Sequence, residues 1–198
     1  MDAPTAEGAS AVTREELHFR RIDMRGFRRS DGLFEVEGRV TDRKPHDFVS
    51  PNGTKRVPAH QPIHDMGVRL VFDEGMVIHQ VHTFTESAPY ADCHEGGRGL
   101  KALHGLRIGG GWSREVRSRL GGPRSCTHLM EILIPMASAA YQTLTELRRG
   151  RPDPLDANGK PVKVDSCHAY AAHREVVLRR WPAWYRPEPP PASQGDQA

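Results

Sequence analysis

Alternating hydrophobic and polar residues in the first half of the chain predict β-strands. The clearest alternation is at residues 33–41, where Phe34, Val36 and Val40 share one face and charged residues occupy the other. This is the pattern of a strand with one buried side. An Asp-Glu-Gly turn separates two further candidates and favours a hairpin between them. The remaining predicted strands are residues 16–23, 66–72 and 76–85.

The second half of the chain predicts helices. Residues 112–120 form a short amphipathic segment, followed by a longer helix over residues 127–149 with apolar side chains at helical spacing. Ser125 or Thr127 can cap the start of the longer helix. Pro135 should kink or divide it, because proline lacks the backbone N–H of a helix interior. A last hairpin is predicted from residues 166–170 and 175–179.

Strands followed by helices, without β-α-β alternation, predict an α+β fold. We expect an antiparallel β-sheet of hairpins, packed on the long helix of the C-terminal half and on the shorter helix. The predicted single domain covers residues 13–185, between disordered tails at residues 1–12 and at the proline-rich residues 186–198. The polar insertion at residues 45–62 could be an active-site lid or a tolerated surface loop.

Composition narrows the class of protein. The chain has 198 residues, of which 37% are hydrophobic, and no stretch approaches the roughly 20 consecutive apolar residues of a membrane helix. Residues 1–12 lack the basic and apolar regions of a secretory signal, and the three cysteines show no paired spacing. We therefore expect a cytoplasmic protein without a membrane partner. The formal net charge of +3 gives no reason to expect a nucleic-acid partner, and a homo-oligomer stays open.

Side chains able to do chemistry gather in four short segments at the boundaries of the predicted elements, where scaffolds often present functional groups. His128 and Glu131 lie three positions apart at the start of the long helix, so they share one face. Cys126 precedes that helix, whose positive dipole end favours a thiolate. The four segments are residues 63–66, 89–93, 125–131 and 165–168.

Three hypotheses fit these residues. In the first, His64 or His128 is a general base, Asp65 or Glu131 orients an imidazole, and no cofactor is needed. In the second, thiol, imidazole and carboxylate groups bind zinc or iron. In the third, the same residues are structural, with core histidines and cysteines packed as small hydrophobes. The candidate metal ligands are Asp65, Cys93, Cys126 and His128.

Substrate binding has one aromatic and two basic candidates. Arg29 or Arg69 would hold a carboxylate, because a guanidinium group can bind both oxygens at once. Tyr90 is the aromatic candidate. These residues predict a small-molecule substrate that carries a carboxylate.

Several ordered motifs resemble a known family. The chain resembles, over residues 17–185, the bacterial family catalogued as domain of unknown function 2889. This resemblance implies a role in the catabolism of aromatic compounds. The motifs include Glu35-Val36-Glu37-Gly38, Thr41-Asp42-Arg43-Lys44, Pro62-Ile63-His64-Asp65-Met66, Ala88-Pro89-Tyr90, Cys126-Thr127-His128-Leu129 and Asp165-Ser166-Cys167-His168.

The order of elements is also similar to that of NifU-type iron–sulfur scaffold proteins. Those proteins place metal ligands before a hairpin, after it, and at the start of a long helix. The corresponding places here hold His64-Asp65, then Cys93, then Cys126 with His128. The chain departs from that pattern because no cysteine stands at the first place.

The main prediction is a small-molecule catabolic enzyme that uses acid–base chemistry on a substrate with a carboxylate, with carbon–carbon lyase chemistry among its candidate reactions. The family resemblance implies that this substrate is aromatic. The alternative is a metal- or iron–sulfur-binding scaffold. Both require one shared pocket, so we expect side chains of His64 or Asp65 within roughly 8 Å of Cys126 or His128. Two further cysteines are expected to approach this pocket, namely Cys93 and Cys167.

Overall fold

A computed structural model describes residues 12–187 of the chain. They form two compact units, residues 12–147 and residues 148–187. Both predicted tails lie almost wholly outside the described residues, and the prediction of one domain over residues 13–185 stays a prediction. Across the described part of the chain, no helix has the length and apolar character needed to span a membrane.

The first unit is built on a four-stranded antiparallel sheet. Its first hairpin consists of β1 (Phe19–Arg28) and β2 (Phe34–Arg43). A small separate sheet follows, formed by β3 (Phe48–Val49) and β4 (Arg56–Val57), within the segment predicted as a lid or surface loop. The second large hairpin consists of β5 (Pro62–Phe72) and β6 (Ile78–Ser87), and the strand order is β1-β2-β5-β6.

Helices follow the sheet in the chain, and the longest of them packs on one face of it. They are α1 (Trp112–Leu120), α2 (Thr127–Thr143) and the single turn α3 (Thr145–Arg148), which ends at the boundary of the unit. Two short 3₁₀ helices, Ala91–Glu95 and Arg98–Leu103, precede α1, and a third, Gly122–Arg124, lies between α1 and α2. The predicted α+β class, with an antiparallel sheet packed on a long and a shorter helix, is confirmed.

The core lies between the sheet and α2. Alternate residues of β2 and β5 point to α2, and they share one buried cluster with the apolar face of that helix. Burial of each large side chain contributes about 1.5–3 kcal/mol. Gly38 lets the helix come close to β2, since a Cβ atom there would lie 2.8 Å from the Met136 sulfur. The cluster includes Val36, Val40, Met66, Val68, Leu70, Leu129, Leu133 and Met136.

Two predictions about the long helix are corrected. Its N-cap is Cys126, with no side-chain cap hydrogen bond, rather than Ser125 or Thr127, and α2 ends at Thr143 rather than running to residue 149. Of the two outcomes expected at Pro135, division of the helix does not occur. Pro135 and Glu131 are both exposed. Water can therefore satisfy the Glu131 carbonyl that proline leaves without an N–H partner.

The second unit contains no strand of the predicted last hairpin. Residues 166–170 contain the 3₁₀ helix His168–Tyr170, and residues 175–179 belong to α4 (Glu175–Arg180), which the 3₁₀ helix Pro182–Trp184 follows. Over five residues, a period of 2 and a period of 3.6 are hard to distinguish. Asp153 organises this unit, because its carboxylate accepts hydrogen bonds from Arg180 and from the Trp181 indole.

Candidate active site

A buried carboxylate on the sheet is the centre of the site. Asp42 of β2 and His64 of β5 are direct partners across the two strands. Both residues continue the core-facing positions of their strands. The His64 Nδ1 atom lies 3.1 Å from Asp42 Oδ2, and the Asp42 side chain is only 3% exposed. Because a carboxylate accepts hydrogen bonds, Nδ1 of His64 carries the proton and Nε2 is left as an acceptor.

The first turn of α2 brings a second histidine to the same carboxylate. The His128 Nε2 atom lies 3.7 Å from Asp42 Oδ2. The ring centroids of His64 and His128 are 4.1 Å apart, with an angle of 35° between the planes. The predicted approach within roughly 8 Å of the two chain segments is therefore confirmed for His64 and His128.

Two residues at the beginning of the sheet complete the surroundings of Asp42. Arg20 of β1 donates two hydrogen bonds to it, at 2.7 Å to Oδ1 and 2.9 Å to Oδ2. The His18 Nε2 atom lies 3.2 Å from Oδ1. Burial raises the pKa of the Asp42 carboxyl, but the hydrogen bond and charge of Arg20, with His64 and His18, outweigh burial and hold that pKa below its usual value. Asp42 is therefore ionised at neutral pH.

The two histidines differ in their affinity for protons. Burial lowers the pKa of His64, and the neighbouring charge of His128 lowers it further, against the opposing effect of Asp42. The hydrogen bond with Cys126 raises the pKa of His128, against the opposing effect of burial. At neutral pH, His64 is thus the ring that stays neutral and is available to accept a proton, and His128 is the ring that more readily carries a proton to donate.

Cys126 lies directly before α2, next to His128. Its sulfur lies 3.8 Å from His128 Nδ1. Burial raises the pKa of the Cys126 thiol, but hydrogen bonds with the His128 ring and with the backbone N–H groups of Leu129 and His128 hold that pKa below its usual value. The pair therefore favours a thiolate beside an imidazolium.

An open cleft of about 710 Å³ gives small molecules access to these groups. Its size is within the ordinary range of ligand pockets. Tyr90, a predicted substrate-binding residue, lines this cleft, and so does Cys93. Cys167 belongs to the second unit and is exposed, and its predicted approach to the pocket stays a prediction. The lining includes His64, Tyr90, Cys93, Arg124, Cys126 and His128.

Asp65 does not join the site, which corrects the expectation that it lies beside His64 in the pocket. Successive side chains of a strand point to opposite faces, so Asp65 faces away from α2. There it accepts hydrogen bonds of 2.6 Å from both Nε and Nη2 of Arg39. The predicted metal-ligand set is therefore not assembled, because Asp65 lies on the other face of the sheet from the remaining members, Cys93, Cys126 and His128.

The predicted arginines also lie outside the cleft lining. Arg29, in the turn after β1, lies 2.7 Å from Asp31 and 3.4 Å from Glu35. Arg69 lies on the sheet face opposite α2, 3.4 Å from Glu35 and 3.1 Å from Glu37. Both guanidinium groups are thus engaged by acidic side chains of the protein itself. The arginines that line the cleft are Arg98 and Arg124.

Glu131 stands at the edge of the cluster. Its side chain is 59% exposed, and its Oε2 atom lies 3.4 Å from Arg20 Nη1. It therefore supports the pair of Arg20 and Asp42, where we expected it to orient an imidazole directly.

The prediction missed Asp42, Arg20 and His18. A signal for Asp42 was present, because it continues the alternation of Val36 and Val40 on the buried face of its strand. A carboxylate at such a position needs a partner. Its partners could not be named without the strand register, which places Arg20 and His64 on either side of it.

Among the described residues, Asp42, His64 and His128 also offer possible metal-ligand atoms, all within 4.8 Å of one another. Two imidazoles and one carboxylate suit a divalent transition metal. Arg20 weighs against this use, because its guanidinium already binds both oxygens of Asp42 and brings a positive charge to the same place.

One comparison with known proteins places this site within a family. The model of the family described as "Protein of unknown function (DUF2889)" matches residues 18–142, well over half of the chain. The chain belongs to this family. The DUF2889 match contains every residue of the cluster around Asp42 and the whole cleft lining, and it ends before the second unit.

No curated protein and no solved structure matches the chain. The likeness to NifU-type scaffolds stays a prediction, as does the association with aromatic catabolism.

Proposed function

We propose that this member of the DUF2889 family is a small-molecule enzyme that transfers protons with two histidines. His64 is the general base, and His128 is the general acid. The observation that carries this proposal is that both rings share the buried Asp42 carboxylate while their pKa values are shifted in opposite directions. Such a division between neighbouring groups suits an acid and a base that act on one substrate.

Each residue then has a defined task. Asp42 holds the proton of His64 on Nδ1, so that Nε2 can remove a proton from a bound molecule. His128 returns a proton to the oxygen or carbon that gains electrons. Arg20 keeps Asp42 ionised. This set supports proton transfer next to a carbonyl group, and carbon–carbon lyase chemistry is one reaction that follows from such a step.

The lining of the cleft supports an aromatic substrate with a carboxylate. Tyr90 and Pro89 offer flat apolar surface. Arg98 lies 2.9 Å from Glu95, so Arg124 is the lining arginine that we assign to a substrate carboxylate. Arg124 thereby replaces Arg29 and Arg69 in this role.

Exchange of carbon-bound protons with solvent tests the proposal directly. Phenylpyruvate carries protons next to a ketone, an aromatic ring and a carboxylate, and proton NMR in D₂O follows their replacement by deuterium. We expect the protein to accelerate this exchange, and we expect His64→Gln to reduce the acceleration by about 10²-fold or more.

His79 supplies the matched control, since it is an exposed histidine paired with Asp73 at 2.8 Å outside the cleft lining. His79→Gln should retain the exchange rate. Full acceleration in His64→Gln would remove His64 from the role of base.

Metal analysis tests the alternative of a metal-binding scaffold. On the acid–base proposal, protein purified without chelator accelerates the exchange with no stoichiometric metal. Stoichiometric zinc or iron that is lost in His64→Gln and in His128→Gln would instead favour a metal centre on Asp42 and these two histidines.

A further inference from the structure

Cys126 has the position of a nucleophile in the cleft. The residue lines the cleft and stands directly before a 17-residue helix, and its sulfur lies 3.6 Å from the sulfur of buried Met66. The backbone there is held in place, because the Cys126 N–H donates a 2.9 Å hydrogen bond to the Gly96 carbonyl. A Cβ atom on Gly96 would lie 2.6 Å from Cys126 Cβ, so the two segments are in close contact.

His128 and Asp42 lie in succession beside this sulfur, and His128 can take up its proton. His128 Nδ1 lies 3.8 Å from Cys126, and on the other side of the ring Nε2 lies 3.7 Å from Asp42. A thiol, an imidazole and a carboxylate in this order can move a proton from sulfur to the ring and compensate the charge that results.

The other two cysteines have different surroundings. Cys93 lines the same cleft, but within residues 12–187 its sulfur forms no hydrogen bond with a histidine ring of the kind that Cys126 forms with His128. Cys167 is exposed and belongs to the second unit. Cys93 and Cys167 therefore serve as internal controls for the effect of His128 on the reactivity of Cys126.

We propose that Cys126 is a nucleophile that adds to the carbonyl carbon of an aromatic aldehyde bound in the cleft. The proton of the thiol passes to His128, and a sulfur electron pair forms the new S–C bond. The π electrons of the C=O bond move to oxygen, which takes the proton back from His128. The product is a neutral thiohemiacetal, so the step needs no leaving group and no second reactant.

This inference goes beyond the acid–base function, because the adduct forms without turnover and without His64. Arg124, which also lines the cleft, favours an aldehyde that carries a carboxylate. The probe that combines these features is 4-carboxybenzaldehyde.

Competitive alkylation measures the reactivity of each cysteine. Iodoacetamide at neutral pH, followed by peptide mass spectrometry, gives three rates in one sample. An ordinary cysteine is only a few per cent thiolate at pH 7, so we expect Cys126 to react about tenfold faster than Cys93 or Cys167. His128→Gln should reduce the Cys126 rate to that of the other two. An unchanged rate in His128→Gln would overturn the proposal.

Protection by the aldehyde tests the adduct itself. We expect 4-carboxybenzaldehyde to slow alkylation of Cys126 and to leave Cys167 unaffected, and benzoate to protect much less. Equal protection by benzoate would show binding without bond formation and would overturn the covalent step. His64→Gln separates the two proposals, since it should lose proton exchange while Cys126 keeps its reactivity.

Discussion

The imidazole rings of His64 and His128 lie 4.1 Å apart and share the carboxylate of Asp42. Two adjacent imidazolium ions would repel each other, so one ring takes a proton more readily when the other is neutral. The contact of Cys126 with His128 determines which ring is protonated, because it raises the pKa of the His128 ring. The cluster therefore favours a neutral His64 beside a protonated His128.

Asp42 should be the most sensitive position of the cluster. Asp42→Asn leaves Arg20 without its ionic partner and replaces one of the two acceptor oxygens, which Arg20 and His64 share, with an NH₂ donor. We expect proton exchange to fall by about 10²-fold or more and the free energy of unfolding in urea to fall by about 1–3 kcal/mol. Asp23→Asn is the control, because Asp23 is less buried than Asp42, pairs with Arg21 of its own strand and should change stability far less. Equal effects of the two substitutions would contradict a special role for Asp42.

Stability should depend on pH through His64. Its pKa is lower in the folded protein than in the unfolded chain, where it is about 6.5. The unfolded state therefore binds more protons, and the free energy of unfolding falls as the pH falls through that value toward about 5. His128, whose pKa is raised, contributes with the opposite sign.

His64→Gln removes the first contribution and leaves the second. Urea titrations between about pH 7 and pH 5 should show a smaller loss of stability in the variant than in the original protein. His79→Gln should keep the original slope. A steeper loss in His64→Gln would show that the sign of the His64 shift is wrong.

Asp65 is adjacent to His64 in the sequence but lies outside the site, so its substitution should not affect the chemistry. Asp65→Asn breaks the pair with Arg39 on the sheet face away from α2. We expect proton exchange and Cys126 alkylation to stay within about twofold of the original rates, because the pair of Asp65 and Arg39 lies outside the cleft lining, on the other face of the sheet. A loss as large as that of Asp42→Asn would restore Asp65 to the catalytic set.

Gly96 controls the position of Cys126. Gly96→Ala places a methyl group 2.6 Å from Cys126 Cβ and 3.1 Å from the Cys93 carbonyl oxygen, so one segment must move. We expect a loss of about 1–3 kcal/mol in unfolding free energy and slower alkylation of Cys126. Gly110→Ala is the matched control, since a Cβ atom at Gly110 meets nothing within 4 Å. Equal stability of the two variants would contradict the close contact.

The main elements of the fold could be predicted because their periodicity is long enough to read. Ten residues of β2 and seventeen of α2 give clear periods of 2 and 3.6. The segment at residues 175–179 is too short for that distinction, and it proved helical. The sequence also placed the start of the second large hairpin too late, since β5 begins at Pro62 and contains His64 and Asp65 within the strand.

The late start predicted for β5 explains the main error at the site, which was the placement of Asp65 beside His64. Adjacent residues before a strand can both turn toward one pocket, whereas adjacent residues inside a strand point to opposite faces. His64 and His128 were correctly brought together by the packing of β5 on α2. Asp65 was placed with them in error, and Asp42 could take its place only once the register was known.

Arg20, which neutralises Asp42, belongs to the outermost strand of the sheet. Within the described sheet β1 has one neighbouring strand, whereas β2 and β5 are each flanked on both sides. An edge strand can unfold locally at a lower free energy than the inner strands require. Amide protons of β1 should then exchange with solvent faster than those of β2. Each such opening withdraws Arg20 from Asp42, so the site would lose its charge balance in a sheet that is otherwise still folded.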